Sequence, residues 1–312
     1  MVETVQARQA RPVTLKGGRS LMPARYASSH RLLRASAVGA LTVAAVSLLP
    51  AGGPPGNAAT AARLRTLATY QVVTGDPVTV GPGKGQGAFA KCPAGTVVLG
   101  GGESNTVLLP TGIELVSSNP DIYDNGWRTS FVNTSTLLNA TVRTQAICAG
   151  GIPGYRFSYL QDQLIPRGRV RREFNYTCPA GTVTLAGGSD GTQGLRLLDS
   201  YPGASNDWVT TVFNTALNSD LHTTLFNVCG TGITRSLEVG EGVSLSKGGR
   251  AHASLTCPAG TKVLSGGGEN TPRGSNMITD TFPSSDGRTW TVYVKNVIDD
   301  NSWMRVRAFC AA

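Results

Sequence analysis

An all-β fold is predicted for this chain, and three observations predict it. The pentapeptide CPAGT recurs at residues 92–96, 178–182 and 257–261. Around it, apolar and polar residues alternate with period two. The composition, with 39 glycines, 15% charged and 6% aromatic residues among 312, favours strands and tight turns over charged, leucine-rich helices. Length alone leaves open two ordinary domains or one large all-β domain, since about 150 residues per domain is only a prior.

The pentapeptide opens a unit that can be followed residue by residue. Seven positions after its cysteine stands Leu99, Leu185 or Leu264, then a glycine cluster: Gly100 to Gly102, Gly187 with Gly188, and Gly266 to Gly268. An acidic residue follows, Glu103, Asp190 (after Ser189) or Glu269. Further along come Pro120, Pro202 and Pro283, then Trp127, Trp208 and Trp290, with Asn133, Asn214 and Asn296 six residues beyond each tryptophan. A second cysteine, Cys148, Cys229 or Cys310, closes the unit. Successive pentapeptides lie 86 and 79 residues apart, so the structural unit is close to eighty residues and occurs three times, over 62–150, 151–230 and 231–312.

Within a unit, Trp127, Thr129 and Phe131 alternate with Arg128, Ser130 and Val132, and Trp290, Val292 and Val294 alternate with Thr291, Tyr293 and Lys295. This is the pattern of strands with one face inward. No segment after residue 61 has sustained helical periodicity. Three β-units of this size each cover a small sheet poorly by themselves, so a shared core is expected. A pseudo-threefold β-prism fits better than a β-trefoil, whose units are about half as long; three tandem small β-sandwiches are the alternative.

Residues 1–61 read as an export leader. A basic flank (Arg31 to Arg34) precedes the apolar run Ala35 to Leu49, and small residues ending at Ala59 or Ala61 supply a cleavage site. Met22 is an equally good start. The apolar run is short of the roughly 20 residues a spanning helix needs. The leader also holds seven of the 28 Lys and Arg and one of the 19 Asp and Glu, so the exported part carries 21 basic residues against 18 acidic. That near-neutral balance leaves no broad basic footprint of the kind nucleic acid requires. One segment, Arg167 to Arg172 (RGRVRR), is locally basic, and reads either as a solvated turn that blunts a sheet edge or as a contact for an anionic polymer.

Six cysteines in an exported chain read as disulfides: Cys92, Cys148, Cys178, Cys229, Cys257 and Cys310. Two pairings respect the repeat, within each unit or from the end of one unit to the start of the next. The within-unit pairing is preferred, each closed loop stabilising by up to about 4 kcal/mol in the chain-entropy picture. No C-x-x-C pair and no recurrent histidine supports metal binding.

The pattern C-P-A-G, strand, G-G-G, S-x-P, G-W, N and closing cysteine resembles a repeat of secreted actinobacterial proteins over about residues 90–311. The three C-P-x-G openings are also similar to those of vitelline membrane outer layer protein, although the D-D-T-A-L-N element of those repeats is missing here. The second resemblance implies a β-prism. Glycine-rich loops beside an acidic side chain also resemble those of jacalin-type prism lectins, which would make Glu103, Asp190 and Glu269, helped by Asn105 and Asn270, acceptors for sugar hydroxyls.

Each of these residues also has a structural reading: glycine permits a strand to bend against a crowded core, the tryptophans fill that core, and the asparagines form turns. The chemistry of an enzyme is thinly represented. GGSDG (Gly187 to Gly191) matches G-x-S-x-G, but no capped helix follows Ser189, and the other units lack the motif. His222 and His252, the two histidines after the leader, fall at non-equivalent places. There is no H-E-x-x-H, phosphate loop or dinucleotide fingerprint, so no cofactor or metal is expected. The expectation is a secreted, extracellular, non-enzymatic binding protein without a membrane span or nucleic-acid partner, recognising envelope or extracellular glycans through three similar sites. A structural envelope component or protein-binding inhibitor is the second class, and a hydrolase, using carboxylates that converge in space, the third.

Overall fold

A computed structural model describes residues 67–105 and 112–312; the export leader expected over 1–61 lies outside the described residues. The described residues form twenty strands and no helix. Unit one contributes β1 (Ala68–Thr74), β2 (Val78–Val80), β3 (Gly85–Lys91), β4 (Val97–Asn105), β5 (Ile113–Asp121), β6 (Gly126–Asn133) and β7 (Ala140–Gly150). Unit two contributes β8 (Arg156–Ile165), β9 (Arg171–Thr177), β10 (Val183–Gly191), β11 (Leu195–Pro202), β12 (Asp207–Asn214) and β13 (Leu221–Gly230). Unit three contributes β14 (Arg235–Val239), β15 (Val243–Leu245), β16 (Arg250–Thr256), β17 (Lys262–Thr271), β18 (Asn276–Pro283), β19 (Thr289–Asn296) and β20 (Ser302–Ala311).

These strands build three antiparallel sheets, each shared by two units. The first runs β1-β7-β4-β18-β19-β16, with β2 also on β7; the second runs β8-β13-β10-β5-β6-β3; the third runs β14-β20-β17-β11-β12-β9, with β15 also on β20. Unit one thus joins half of itself to unit three and half to unit two, and the exchange closes in a ring. The result is a pseudo-threefold β-prism in which no unit owns a complete sheet; three tandem sandwiches would have kept each sheet within one unit. Each unit is closed by its own disulfide, Cys92 to Cys148, Cys178 to Cys229 and Cys257 to Cys310, with Cα separations of 5.6, 5.8 and 5.8 Å.

The CPAGT motif is a tight turn into the first inner strand. Gly95, Gly181 and Gly260 sit at φ of +82°, +80° and +82°, a left-handed conformation that glycine adopts without strain. The following threonine, Thr96, Thr182 or Thr261, returns both its amide and its hydroxyl to the proline carbonyl of the motif.

Where two units meet inside a sheet, the strands touch at one residue pair: Glu103 with Thr281, Ser189 with Ser118, and Gly268 with Ser200. The glycine clusters make this crossing possible. A Cβ on Gly102, Gly188 or Gly267 would lie 1.8, 1.9 or 1.6 Å from the carbonyl oxygen of Thr281, Ser118 or Ser200 in the neighbouring unit. A Cβ on the preceding Gly101, Gly187 or Gly266 would lie 2.3, 2.4 or 2.5 Å from Cγ of Trp127, Trp208 or Trp290 in the same unit. Each of those buried indoles donates its N–H to the hydroxyl of Ser118, Ser200 or Thr281, at 2.9, 3.0 and 2.9 Å. One Ser or Thr per unit therefore satisfies the tryptophan with its side chain and packs its carbonyl on a foreign glycine. The recurrent Asn133, Asn214 and Asn296 tie two turns together, each donating to a carbonyl before and a carbonyl after its own strand pair.

Substitution of Gly102, Gly188 or Gly267 by alanine is expected to destabilise the protein by about 3 kcal/mol or more, because the clash is with backbone that cannot rotate away. Gly87, where a Cβ would meet only Thr129 O at an ordinary 3.5 Å, is the control, with an expected change within about 1 kcal/mol. Chemical denaturation of the four variants checks this, and equal stability for Gly87→Ala and Gly188→Ala would contradict it.

Candidate functional site

The strand register separates the three acidic residues that follow the glycine clusters. Glu103 stands eleven residues after its pentapeptide cysteine, while Asp190 and Glu269 stand twelve after theirs. Side chains alternate along a strand, so one residue moves a side chain to the other face. Glu103 therefore shares its inner position with Ser189 and Gly268. It is fully buried, and among the described residues neither carboxylate oxygen has a hydrogen-bond partner. Ser189 is equally buried with an unpartnered hydroxyl, in a continuous strand rather than an elbow, so it presents no nucleophile to solvent.

Asn105 and Asn270 belong to the unit junctions. Asn105 donates its backbone N–H and its Nδ2 to the two carboxylate oxygens of Asp280, at 2.7 and 2.9 Å. Asn270 is buried, donates Nδ2 to Leu198 O at 2.7 Å and accepts from Asn276 Nδ2 at 2.7 Å. Glu269 accepts from Arg305 Nε at 2.6 Å, with Arg307 at 3.6 Å. Of the five residues expected to hold a ligand, only Asp190 is exposed, its Oδ1 accepting from the adjacent Gly191 N–H at 2.8 Å. The three acidic residues do not form three equivalent sites.

Asp190 opens into a cavity of about 390 Å³ on unit two, lined chiefly by Gln161 and Asp162 from β8, Thr192 beyond β10, and His222 and Thr224 from β13. The Asp162 carboxylate and His222 Nδ1 are 2.7 Å apart. Thr223 anchors the floor by donating its hydroxyl to the Asp190 carbonyl. Asp162 adopts φ +58° where the pairing of β8 with β13 slips between Thr223 and Leu225. Asp tolerates this left-handed conformation better than most residues, and the bulge turns its side chain toward His222. In the other units the same place interrupts the strand altogether, at Gly75 to Pro77 between β1 and β2 and at Gly240 to Gly242 between β14 and β15.

Counted from their cysteines, the units differ in the residues that stand around this cavity. Asp76, Asp162 and Glu241 all stand sixteen residues before the pentapeptide cysteine, a recurrent acidic position away from the glycine clusters. Five residues before the closing cysteine stand Arg143, Thr224 and Arg305. In unit three Arg305 reaches across this place and neutralises Glu269; in unit two the short Thr224 leaves it open. In unit one the position of Asp190 is occupied by Ser104. Seven residues before the closing cysteine stand Thr141, His222 and Trp303, the last of these 53% exposed. Trp127, Trp208 and Trp290 are core, leaving Trp303 as the tryptophan that faces solvent. His252 lies in a different sheet from His222, stacked on Tyr293 at 4.8 Å.

The cavity offers two carboxylates, an imidazole, a carboxamide and hydroxyls, without a lysine, arginine, phenyl or indole group. Such a lining makes many directional hydrogen bonds and little apolar contact, which suits a small hydroxylated ligand. Among the described residues no group of three or more His, Cys, Asp or Glu could hold a metal ion, and no helix is long and apolar enough to cross a membrane.

The buried carboxyls at the junctions set a pH dependence. Burial raises Glu103 well above the usual carboxylate range, with Asp280 alongside adding to the rise. Burial also pushes Asp280 up to about 7 and Asp199 up to about 6, against the hydrogen bonds each accepts. With no donor aimed at either of its oxygens, no hydrogen bond opposes that rise at Glu103. Folded pKa values above the unfolded ones favour the protonated fold, so this stability is fully present below about pH 4 and is lost as pH rises through 6 to 7. Denaturation midpoints are expected to fall from pH 5 to pH 8, and Glu103→Gln to reduce that slope and raise stability at pH 8 by more than about 1 kcal/mol; an unchanged slope in this variant would contradict the assignment. No protein-family model matches the chain and no curated protein matches it.

Proposed function

We propose that the protein is a secreted, non-enzymatic recognition protein that binds glycans through the Asp190 cavity of unit two. One observation carries this reading: a pocket lined by Asp162, Asp190, His222, Gln161 and threonines, in the unit where Thr224 replaces the blocking arginine. Its volume, about 390 Å³, lies in the range of small-ligand sites and accommodates one sugar ring. The carboxylates accept hydroxyl hydrogen bonds, Gln161 supplies both donor and acceptor, and the Asp162 contact orients the His222 ring. Secretion is supported by the leader and by three disulfides, which persist in oxidising compartments.

A protein ligand is the second reading, favoured by Tyr159, Leu160 and Leu164, exposed on β8 on either side of Gln161 and Asp162. Ser189 is buried, so a serine nucleophile finds no support.

Screening the intact protein on a glycan array, followed by calorimetry, tests the proposal. Asp190→Asn and Asp162→Asn, the latter keeping a side chain tolerant of the left-handed backbone, are expected to weaken glycan binding at least about ten-fold, the effect of losing about 1.4 kcal/mol. Glu269→Gln is expected to leave it unchanged, and no glycan is expected to be cleaved. Absence of binding to every glycan, with capture of a protein partner that depends on Tyr159 and Leu160, would replace this reading with the second.

A further inference from the structure

The turn between β8 and β9 carries a charge the fold does not require. It holds Arg167 and Arg169, and β9 begins with Arg171 and Arg172; all four side chains are exposed. The corresponding turns of the other units, 81–84 and 246–249, are one residue shorter, rich in glycine, and carry one lysine each. Lys247 there is paired with Asp299 at 2.9 Å. The turn itself is thus made twice without arginine; of the two arginines that open β9, Arg171 has a counterpart in Arg250 at the start of β16, whereas Arg172 stands where unit three has Ala251.

None of the four forms an ion pair with a carboxylate among the described residues, whereas Arg128, Arg196, Arg273 and Arg305 each do. The nearby acids are otherwise engaged. Asp220 accepts from the Arg167 backbone N–H at 2.8 Å, and Glu173 is paired with Arg273. Two of the guanidinium groups are held in place on aromatic rings, Arg171 over Phe213 at 5.5 Å and Arg172 over Phe174 at 5.2 Å, and Arg172 also donates to Leu164 O at 2.6 Å. A cation fixed in this way loses less side-chain freedom when an anion binds. The turn backbone is fixed as well, since Gly168 and Arg169 both donate to Ala216 O.

We propose that this turn is a docking site for an acidic polysaccharide or polyol chain bearing repeated carboxylate or phosphate groups. Arg167 and Arg169 on the turn, with Arg171 and Arg172 leaving the two faces of the edge strand beside it, set unpaired guanidinium groups along one corner, which matches a linear chain of repeating negative charge. Nucleic acid fits less well, because the rings of Phe174 and Phe213 are covered by arginine and offer no stacking surface for a base. The site adjoins the cavity, with Asp220 two residues from His222, but its chemistry is independent of the cavity.

Calorimetry of the intact protein with polygalacturonate, a glycerol-phosphate polymer, neutral dextran and a single-stranded oligonucleotide tests the proposal. At least one of the two acidic polymers is expected to bind, which of them naming the anionic group, with affinity falling by about ten-fold or more between 50 and 200 mM salt. Dextran is expected not to compete. The double variant R167Q/R169N, in which Asn tolerates the φ of +62° at position 169, is expected to weaken binding at least about ten-fold at an unchanged melting temperature. Asp162→Asn is expected to leave polymer binding intact, which separates this site from the cavity. Absence of binding by both polymers, binding indifferent to R167Q/R169N, or tighter binding of the oligonucleotide would each overturn the proposal.

Discussion

The prism depends on three places where a backbone carbonyl of one unit rests on a glycine of the next. Thr281 O on Gly102, Ser118 O on Gly188 and Ser200 O on Gly267 are approaches that leave no room for a side chain. They let strands of different units hydrogen-bond at a single point and then diverge into separate walls. The tryptophan of each unit fills the space over the neighbouring glycine and bonds to the same Ser or Thr that supplies the carbonyl. Side-chain volume, a hydrogen bond and a close backbone approach are thereby coupled at one residue, three times over.

Because each sheet is completed by a neighbouring unit, none of the three units can diverge freely at its junction, and the freedom to vary moves to the outer positions. There the units differ sharply. Thr224 stands where the others have Arg143 and Arg305, and His222 where they have Thr141 and Trp303. A glycine-rich turn with one lysine in units one and three becomes an arginine-bearing turn in unit two. Unit two thus carries both the polar cavity and the unpaired basic corner, whereas in unit three Arg305 is paired with Glu269 and Lys247 with Asp299.

Much of the fold is legible in the chain because its constraints are local and repeated. CPAGT needs glycine for its left-handed residue, the alternation around Trp127 and Trp290 marks half-buried strands, and the cysteine spacing makes within-unit disulfides one of two symmetric choices. The candidate site is less legible. Glu103, Asp190 and Glu269 all follow a glycine cluster, yet one residue of offset from the cysteine sends Glu103 into the interior, and it is burial and register that give that offset its meaning. Asp162 belongs to no motif beside the glycines; its signal is a position counted backwards from the cysteine. Trp303 stands outside the tryptophan series, so nothing in the repeat marks it as the exposed indole.

The letters of the chain suffice for the unit: a disulfide-closed β-repeat of about eighty residues, used three times, with its turns, its inward faces and its glycine hinges. These follow from backbone sterics and period-two burial, which act between residues close in the chain or bound to a repeating pattern. Three features arise only in the assembled fold. Sheets are exchanged between units, Asn105 of unit one locks onto Asp280 of unit three across that exchange, and of the three acidic residues Asp190 is the exposed one. The physical reason for the division is range. Sterics and alternation act along the chain, whereas strand exchange, burial of a carboxyl and the opening of a pocket depend on residues that folding brings together from distant positions, as Asn270 and Asp199 are across 71.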